Sequence, residues 1–323
     1  MLVSISNIHI ETTVPVALRG SRLDQAAAQL FPDYSRSQLQ QWIKGGQLTV
    51  NRRPAKTKDK LIGGEFLLLD AELEAQGDWQ PEAIPLDIVY EDDALMVINK
   101  PAGLVVHPAA GNRDGTLLNA LLAHLPELAK LPRAGIVHRL DKDTTGLMVV
   151  GKTPTAVTDL VAQLQARTVS RTYLALVIGG LTGGGTVDAP IDRHPGQRTK
   201  MAVVQGGKQA ITHYRVKARF SNHTLLEVKL ETGRTHQIRV HMAHLRHPLV
   251  GDSTYAGRFK IPPAASEPLI AALKRFPRQA LHATALGLIH PVSGEAISWQ
   301  VPLPKDMADL LALLRVEEAG GGE

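Results

Sequence analysis

The 323-residue sequence contains no cysteine. Disulfides, thiolate nucleophiles and cysteine metal sites are therefore excluded, and the composition suits a cytoplasmic protein. No window approaches the roughly 18 uninterrupted apolar residues that a membrane span needs, so no membrane partner is expected. The opening residues MLVSISNIHIETTV do not set a basic segment before a continuous apolar one, and no export signal is expected there. No GxGxxG, P-loop or HExxH pattern occurs, which leaves nucleotide phosphate cradles and the usual zinc protease site without support. Low-complexity tracts are missing as well. What remains is a chain 44% hydrophobic by count, long enough for one large core or two unequal ones.

Charge is present but segregated. The net charge is only +5, yet Arg36 to Lys60 holds seven Lys or Arg against Asp59 alone, and Glu65 to Asp93 holds ten acids and no base. From Arg193 to Lys260 there are thirteen Lys or Arg against Glu227, Glu231 and Asp252. Two basic surfaces either side of an acidic connector suit a polyanion gripped at two places, because Lys and Arg that neutralise phosphates release counterions.

The first basic segment reads as a compact module. Leu23, Ala26, Ala27, Leu30 and Phe31 recur at helical spacing, as do Leu39, Trp42 and Ile43, each helix opening near a Ser or Asp suited to capping. QLTVNRRPAKTKDKLIGGEFLLLD then reads as two short strands joined by a basic turn. The expected boundaries are 16–76 for this module, 77–86 for an acidic linker, 87–316 for a larger domain and 317–323 for a disordered tail. In the larger domain strands outnumber helices: IVYEDDALMVINKP predicts a hairpin, GTLLNALLAHL and TAVTDLVAQLQAR amphipathic helices, and SRTYLALVIG, ITHYRVKARF and TLLEVKLE strands. The pattern is a mixed sheet, not a regular doubly wound one.

Between the apolar runs AGIV and LMVVGK, both read as short buried strands, lies the polar HRLDKDTTGL, His138 to Leu147. A polar insert between buried strands is a loop on a rigid scaffold, where binding and catalytic residues concentrate. Spacing does not choose between Asp141 and Asp143 as its working carboxylate. Farther on, ETGRTHQIRVHMAHLRHPLVGD predicts a helix with Ile238, Met242 and Leu245 on an inner face and His236, Arg239, Ala243 and Arg246 or His247 on a cationic outer face. A metal site on His241, His244 and His247 is the rival reading; it is disfavoured because structural metal sites generally add carboxylates or thiolates. A metal-dependent nuclease or phosphodiesterase using His138, Asp141, Asp143 and the histidine-rich helix, and an RNA-binding assembly factor without catalysis, are the other two functional classes that the residues allow.

VINKPAGLVVHPAAGN, GIVHRLDKDTTGLMVV, RTYLALVIGG and LETGRTHQIRVHMAHLRHPLVGD, in that order, resemble the RluA-type pseudouridine synthases. Ahead of them, Arg22-Leu23-Asp24, Ser35-Arg36, Gly45-Gly46 and Val50-Asn51 resemble the S4 RNA-binding domain. The resemblance implies an α+β chain: a small S4-like domain followed by a pseudouridine synthase domain with a mixed, mainly antiparallel sheet flanked by helices. It implies isomerisation of uridine in RNA by breaking the N1 glycosidic bond and rejoining the base through C5, with no cofactor and no metal. By the same resemblance the catalytic residues are Asp141, Tyr173, which stacks on the uracil, and Arg239, which forms an ion pair with Asp141. Arg139 would enter the RNA where the target base is flipped out, and His138, Arg36, Lys44, Arg52, Arg53, Lys100, His107, Arg234 and His236 would contact RNA. The implied partner is large-subunit (23S) ribosomal RNA or an assembling large subunit, acted on by a monomer.

Overall fold

A computed structural model of the chain describes residues 6–34, 36–73, 79–108, 112–197 and 199–320. The N-terminal module comprises β1 (Ser6–Thr13), α1 (Leu23–Leu30), α2 (Arg36–Gly45), β2 (Leu48–Val50) and β3 (Phe66–Leu73). Leu23, Ala26, Ala27, Leu39, Trp42 and Ile43 bury the inner faces of both helices against Leu48, Leu67 and Leu69. The sheet order is β1-β3-β2, so β1, which lies ahead of the expected boundary at 16, supplies an edge strand with Ile8 opposite Ala71 and Ile10 opposite Leu69. The first helix has no side-chain cap. Asp24 is instead wholly buried, and Arg22, Arg36 and Gln40 donate to it. Ser35, read as the cap of the second helix, lies outside the described residues, as do 74–78 of the connector and its neighbourhood.

The connector is not a free spacer from Trp79 onward. Asn119 donates its side-chain amide to the Gln80 carbonyl at 2.8 Å, and the Glu82 carboxylate accepts from the Gly115 N–H at 2.7 Å. These contacts staple it to the start of α3 (Leu117–His124), which Thr116 caps.

The larger domain adds β4 (Ile88–Glu91), β5 (Leu95–Lys100), α3 (Leu117–His124), β6 (Thr145–Gly151), α4 (Pro154–Ala166), β7 (Ser170–Ile178), β8 (Gly185–Asp188), β9 (Ile191–Arg193) and β10 (Met201–Val203). It continues with β11 (Ile211–Phe220), β12 (His223–Leu230), α5 (Gln237–His244), α6 (Glu267–Arg275), β13 (Leu281–Ile289), β14 (Ala296–Gln300) and α7 (Lys305–Gly320). Nine strands form one sheet in the order β4-β5-β6-β13-β7-β12-β11-β8, with β14 also on β13. Among the described strands of this sheet only β6 and β13 pair in parallel, and they approach closely enough that a Cβ on Gly146, where φ is +111°, would sit 2.2 Å from the Ala283 carbonyl oxygen. This is the mixed sheet that the sequence pattern predicts and the mainly antiparallel one that the resemblance implies.

The strand β7 shows why its segment is apolar almost throughout. Tyr173, Ala175 and Val177 enter the core on one face, while Leu174 and Leu176 enter a second core under α6 and α7 on the other. Two expectations fail. AGIV is not a strand: 132–135 turn as a short 3-10 segment and only Ile136 bridges, to Val150. Nor are 317–320 a loose tail, since α7 runs to Gly320 and the Glu317 and Glu318 carboxylates accept from Ser266 and Ser221. Residues 321–323 lie outside the described residues.

Candidate active site

The polar insert is the loop into β6, and Lys100, His138 and Arg278 fix it. Lys100 is fully buried at the end of β5 and donates at 2.8 Å to the carbonyls of Pro101, Leu104 and Lys142. An RNA contact for Lys100 is therefore corrected: its ammonium holds the loop from beneath. Burial pushes its pKa down to about 7, while the charges of Asp143 and Asp141 pull the other way. His138 is pinned too. Its Nε2 accepts from the Val149 N–H at 3.0 Å, and burial, helped by the Arg171 charge, lowers its pKa to about 3, so the ring is neutral and keeps the lone pair that this bond needs. The turn closes through the backbone, from Thr144 N–H to the Asp141 carbonyl at 3.1 Å, while Arg278 donates to the Asp143 carbonyl.

Thus held, Asp141 meets a residue 98 positions on. Arg239 donates from Nη1 to Asp141 Oδ2 at 2.9 Å, and through Nε and Nη2 to the two oxygens of Asp252 at 2.7 and 3.0 Å. Arg239 is 7% exposed at its side chain, Asp252 0% and Asp141 17%. The two-pronged bond to buried Asp252 aims the guanidinium, and its remaining edge aims Asp141. Burial opposes the charge on Arg239, but Asp252 and Asp141 outweigh it and raise its pKa above the ordinary value. Gly251, at φ +73°, is required beside this pair because a Cβ there would meet the Arg278 carbonyl oxygen at 2.0 Å.

On the other side of Asp141 stands His236, with Nε2 at 3.8 Å from Oδ1. Met201 N–H donates to the Tyr255 hydroxyl at 3.0 Å, leaving that hydroxyl to donate to His236 Nδ1 at 2.7 Å. The N–H of the neutral ring is then on Nε2, toward the carboxylate. Burial keeps His236 below the usual histidine pKa despite the attraction of Asp141.

The expected cationic outer face of α5 does not exist. The helix spans only eight residues, Arg239 and His241 are buried, and Arg246 lies past its end. His241 bonds Thr212 and the Ala189 carbonyl, and His247 the Ile178 carbonyl, so the histidines diverge. No three His, Asp or Glu among the described residues are grouped so as to hold a metal ion.

Asp141 opens on a cleft of about 840 Å³. Tyr173 lies in its wall, 6% exposed, and burial raises its phenol pKa, with Asp141 adding to the rise and Arg171 opposing it. Arg139 is exposed at the rim, as is Arg234, whose Nε donates to the Gln209 carbonyl. His107 also lines the cleft, edge-on to Trp79. In the N-terminal module Lys44, Arg52 and Arg53 are exposed, whereas Arg36 spends its guanidinium on Asp24 at 2.6 Å. Asp252, Tyr255 and Arg171 belong to the site although sequence reasoning gave them no role. For Asp252 the signal was the Gly-Asp pair ending HLRHPLVGD, and for Arg171 the two-residue spacing from Tyr173 on one strand.

Comparison with known proteins agrees with this arrangement. The model of the RNA pseudouridylate synthase family matches residues 94–244 and that of the S4 domain residues 21–66. The chain is 63% identical over 302 residues to a ribosomal large subunit pseudouridine synthase D of Pseudomonas aeruginosa, covering 94% of each chain. It is 55% identical over 311 residues to the protein of that name in Escherichia coli K12, covering 96% of this chain and 95% of the relative. Among solved structures it is similar to human RNA pseudouridylate synthase domain containing 4, with a TM-score of 0.56 at 28% identity over 71% of this chain and 92% of that one.

Proposed function

This chain belongs to the RNA pseudouridylate synthase family, and from that premise we propose that it isomerises uridines of large-subunit (23S) ribosomal RNA, with Asp141 as the catalytic carboxylate. The large-subunit substrate is supported by the names of relatives matching nearly the whole chain. The chemistry is supported by one observation above all: Asp141 faces the cleft on a loop locked from below and is held from the side by Arg239.

Cleaving the N1 glycosidic bond builds positive charge at C1′, and a carboxylate beside that carbon stabilises the charge or bonds to it. The bonding pair leaves with N1. The freed base turns, C5 bonds to C1′, the C5 hydrogen departs and N1 gains a proton, so atoms balance without a cofactor. One carboxylate suffices because no water has to be activated. Tyr173 is suited to stack on the uracil and Arg139, free at the rim, to fill the gap left by the flipped base, a step costing a few kcal/mol of unstacking. Arg234 and His236 are placed to contact the target strand, and Lys44, Arg52 and Arg53 to contact phosphates beside it. The S4-like unit runs from Ser6 to Leu73 and the synthase unit to Gly320 in this reading. A monomer working in the cytoplasm on free rRNA or an assembling subunit fits it, and no helix among the described residues is long and apolar enough to cross a membrane.

The test is release of tritium from large-subunit rRNA labelled at uridine C5, incubated with the purified protein. Tritium in the water together with pseudouridine in the digest is expected. Strand cleavage, or loss of activity on adding a chelator, would instead favour the metal-dependent nuclease.

A further inference from the structure

Arg171 is 9% exposed, yet none of its guanidinium nitrogens has a hydrogen-bond or carboxylate partner among the described residues, and its Nε is buried without one. Every other deeply buried arginine is spoken for: Arg239 by Asp141 and Asp252, Arg278 by Asp306. A buried cation with nothing opposite it is costly, and folds retain such a group where a ligand completes it.

The surroundings say where that ligand sits. Arg171 and Tyr173 are two residues apart on β7, so both side chains leave the same face of the strand and both line the cleft. Across from them the backbone of the loop before α5 packs so close that a Cβ on Gly233 would lie 2.9 Å from Arg171 Nη1. Exposed Arg234 stands at the rim for the RNA backbone, and a base stacked on Tyr173, as proposed above, meets Arg171 on the same face of β7.

We propose that Arg171 is a catalytic residue that binds the detached uracil and stabilises it as an anion. The inference rests on the isomerase reading above. When the N1–C1′ bond breaks, its electron pair stays on N1 and spreads onto O2 and O4. The charge disappears when C5 bonds to C1′ and N1 is protonated. A fixed guanidinium beside Tyr173 offers donors where that charge develops, and it is already desolvated. The same positive charge eases the phenol of Tyr173 toward ionisation, against the pull of burial.

Arg171→Met and Arg171→Lys in the full-length protein test this, using the C5-tritium assay with a large-subunit rRNA fragment. Arg171→Met should lose about 100-fold in kcat with RNA affinity and the salt slope of binding nearly unchanged. It should also melt at a higher temperature than wild type, because an unpaired buried charge has gone. Arg171→Lys, which keeps the charge without the fork, should lose about tenfold. With 5-fluorouridine at the target, whose base leaves more readily as an N1 anion, the Arg171→Met deficit in consumption of the parent nucleoside should shrink. A lower melting temperature with kcat preserved would make Arg171 structural and overturn the inference. Weaker binding and a flatter salt slope with kcat preserved would make it a phosphate contact, with the same consequence. Wild-type protein that leaves uridine intact would overturn the isomerase reading itself and take the inference with it.

Discussion

The tripeptide Arg-Leu-Asp occurs twice, at Arg22-Leu23-Asp24 in the N-terminal module and at Arg139-Leu140-Asp141 in the cleft. In both copies the leucine is buried and the aspartate meets a distant arginine at hydrogen-bond distance, Arg36 at 2.6 Å in one and Arg239 at 2.9 Å in the other. The difference lies in what is left over. Asp24 is 0% exposed and saturated by Arg22, Arg36 and Gln40, so its charge is consumed in joining α1 to α2. Asp141 keeps Oδ1 clear of any bond shorter than the 3.8 Å approach of His236, opens on the cleft, and is not touched by its own neighbour Arg139. One carboxylate is structural because its bonds are complete; the other is available because its support was built elsewhere, on Asp252 and Lys100.

Asp141→Asn sharpens the contrast most. It keeps the shape and removes the charge facing the cleft, so pseudouridine formation should fall by about 10⁴-fold while melting temperature and RNA affinity stay near wild type. Single-turnover rates beside a melting curve would check both halves. Arg239→Ala should come next, with a rate loss of about 10³-fold and, because Asp252 is left buried and unpaired, a stability loss of about 3–5 kcal/mol. If the rate fell and stability did not, Asp252 would not be the anchor described.

Asp24→Asn should do the reverse, sparing turnover and weakening the small module. Hydrogen bonds from Arg36, Gln40 and Arg22 outweigh the burial that would raise the Asp24 pKa and hold it down at about 2, against an ordinary 3.8. A depressed carboxylate contributes stability above its unfolded value and loses it as pH falls through the folded one, so the module should weaken between about pH 4 and 2. The loss is about 1–2 kcal/mol after discounting for the half-exposed arginines. Asp24→Asn should remove that acid limb from chemical-denaturation curves taken across the range. The smallest effect belongs to the exposed cations. Lys44, Arg52 and Arg53 changed together to Ala should flatten the slope of log affinity against log salt by about 2–3, without touching kcat.

Much of this was legible in the sequence. Helical spacing placed α1 and α2, the polar insert between apolar runs announced the loop that lines the cleft, and the resemblance paired Asp141 with Arg239, which donates to it at 2.9 Å. Burial was what the letters hid. Lys100 and His138 read as RNA-facing cations because composition reports charge and not depth; in the fold they are spent on carbonyls and a backbone N–H, and Arg36, though half exposed, is spent on the Asp24 carboxylate. The cationic stripe on α5 failed for the same reason, since helical spacing says which residues share a face but not which face meets the core. Edge strand β1 was missed because its Ile8 and Ile10 acquire meaning only opposite Ala71 and Leu69, far along the chain. Asp252 was missed because its partner is a side chain that the same motif had already assigned to Asp141.

The central claim is that the carboxylate at Asp141, and not its twin at Asp24 or its neighbour Asp143, isomerises uridine in large-subunit rRNA. The most direct measurement is to map pseudouridine in that rRNA by carbodiimide-dependent reverse-transcription stops, in cells lacking the protein and then supplied with wild type, Asp24→Asn, Asp143→Asn or Asp141→Asn. The account predicts stops that vanish with the protein and return with the wild type, Asp24→Asn and Asp143→Asn, but not with Asp141→Asn. Stops that persist in the cells lacking the protein, or that return with Asp141→Asn, would contradict it.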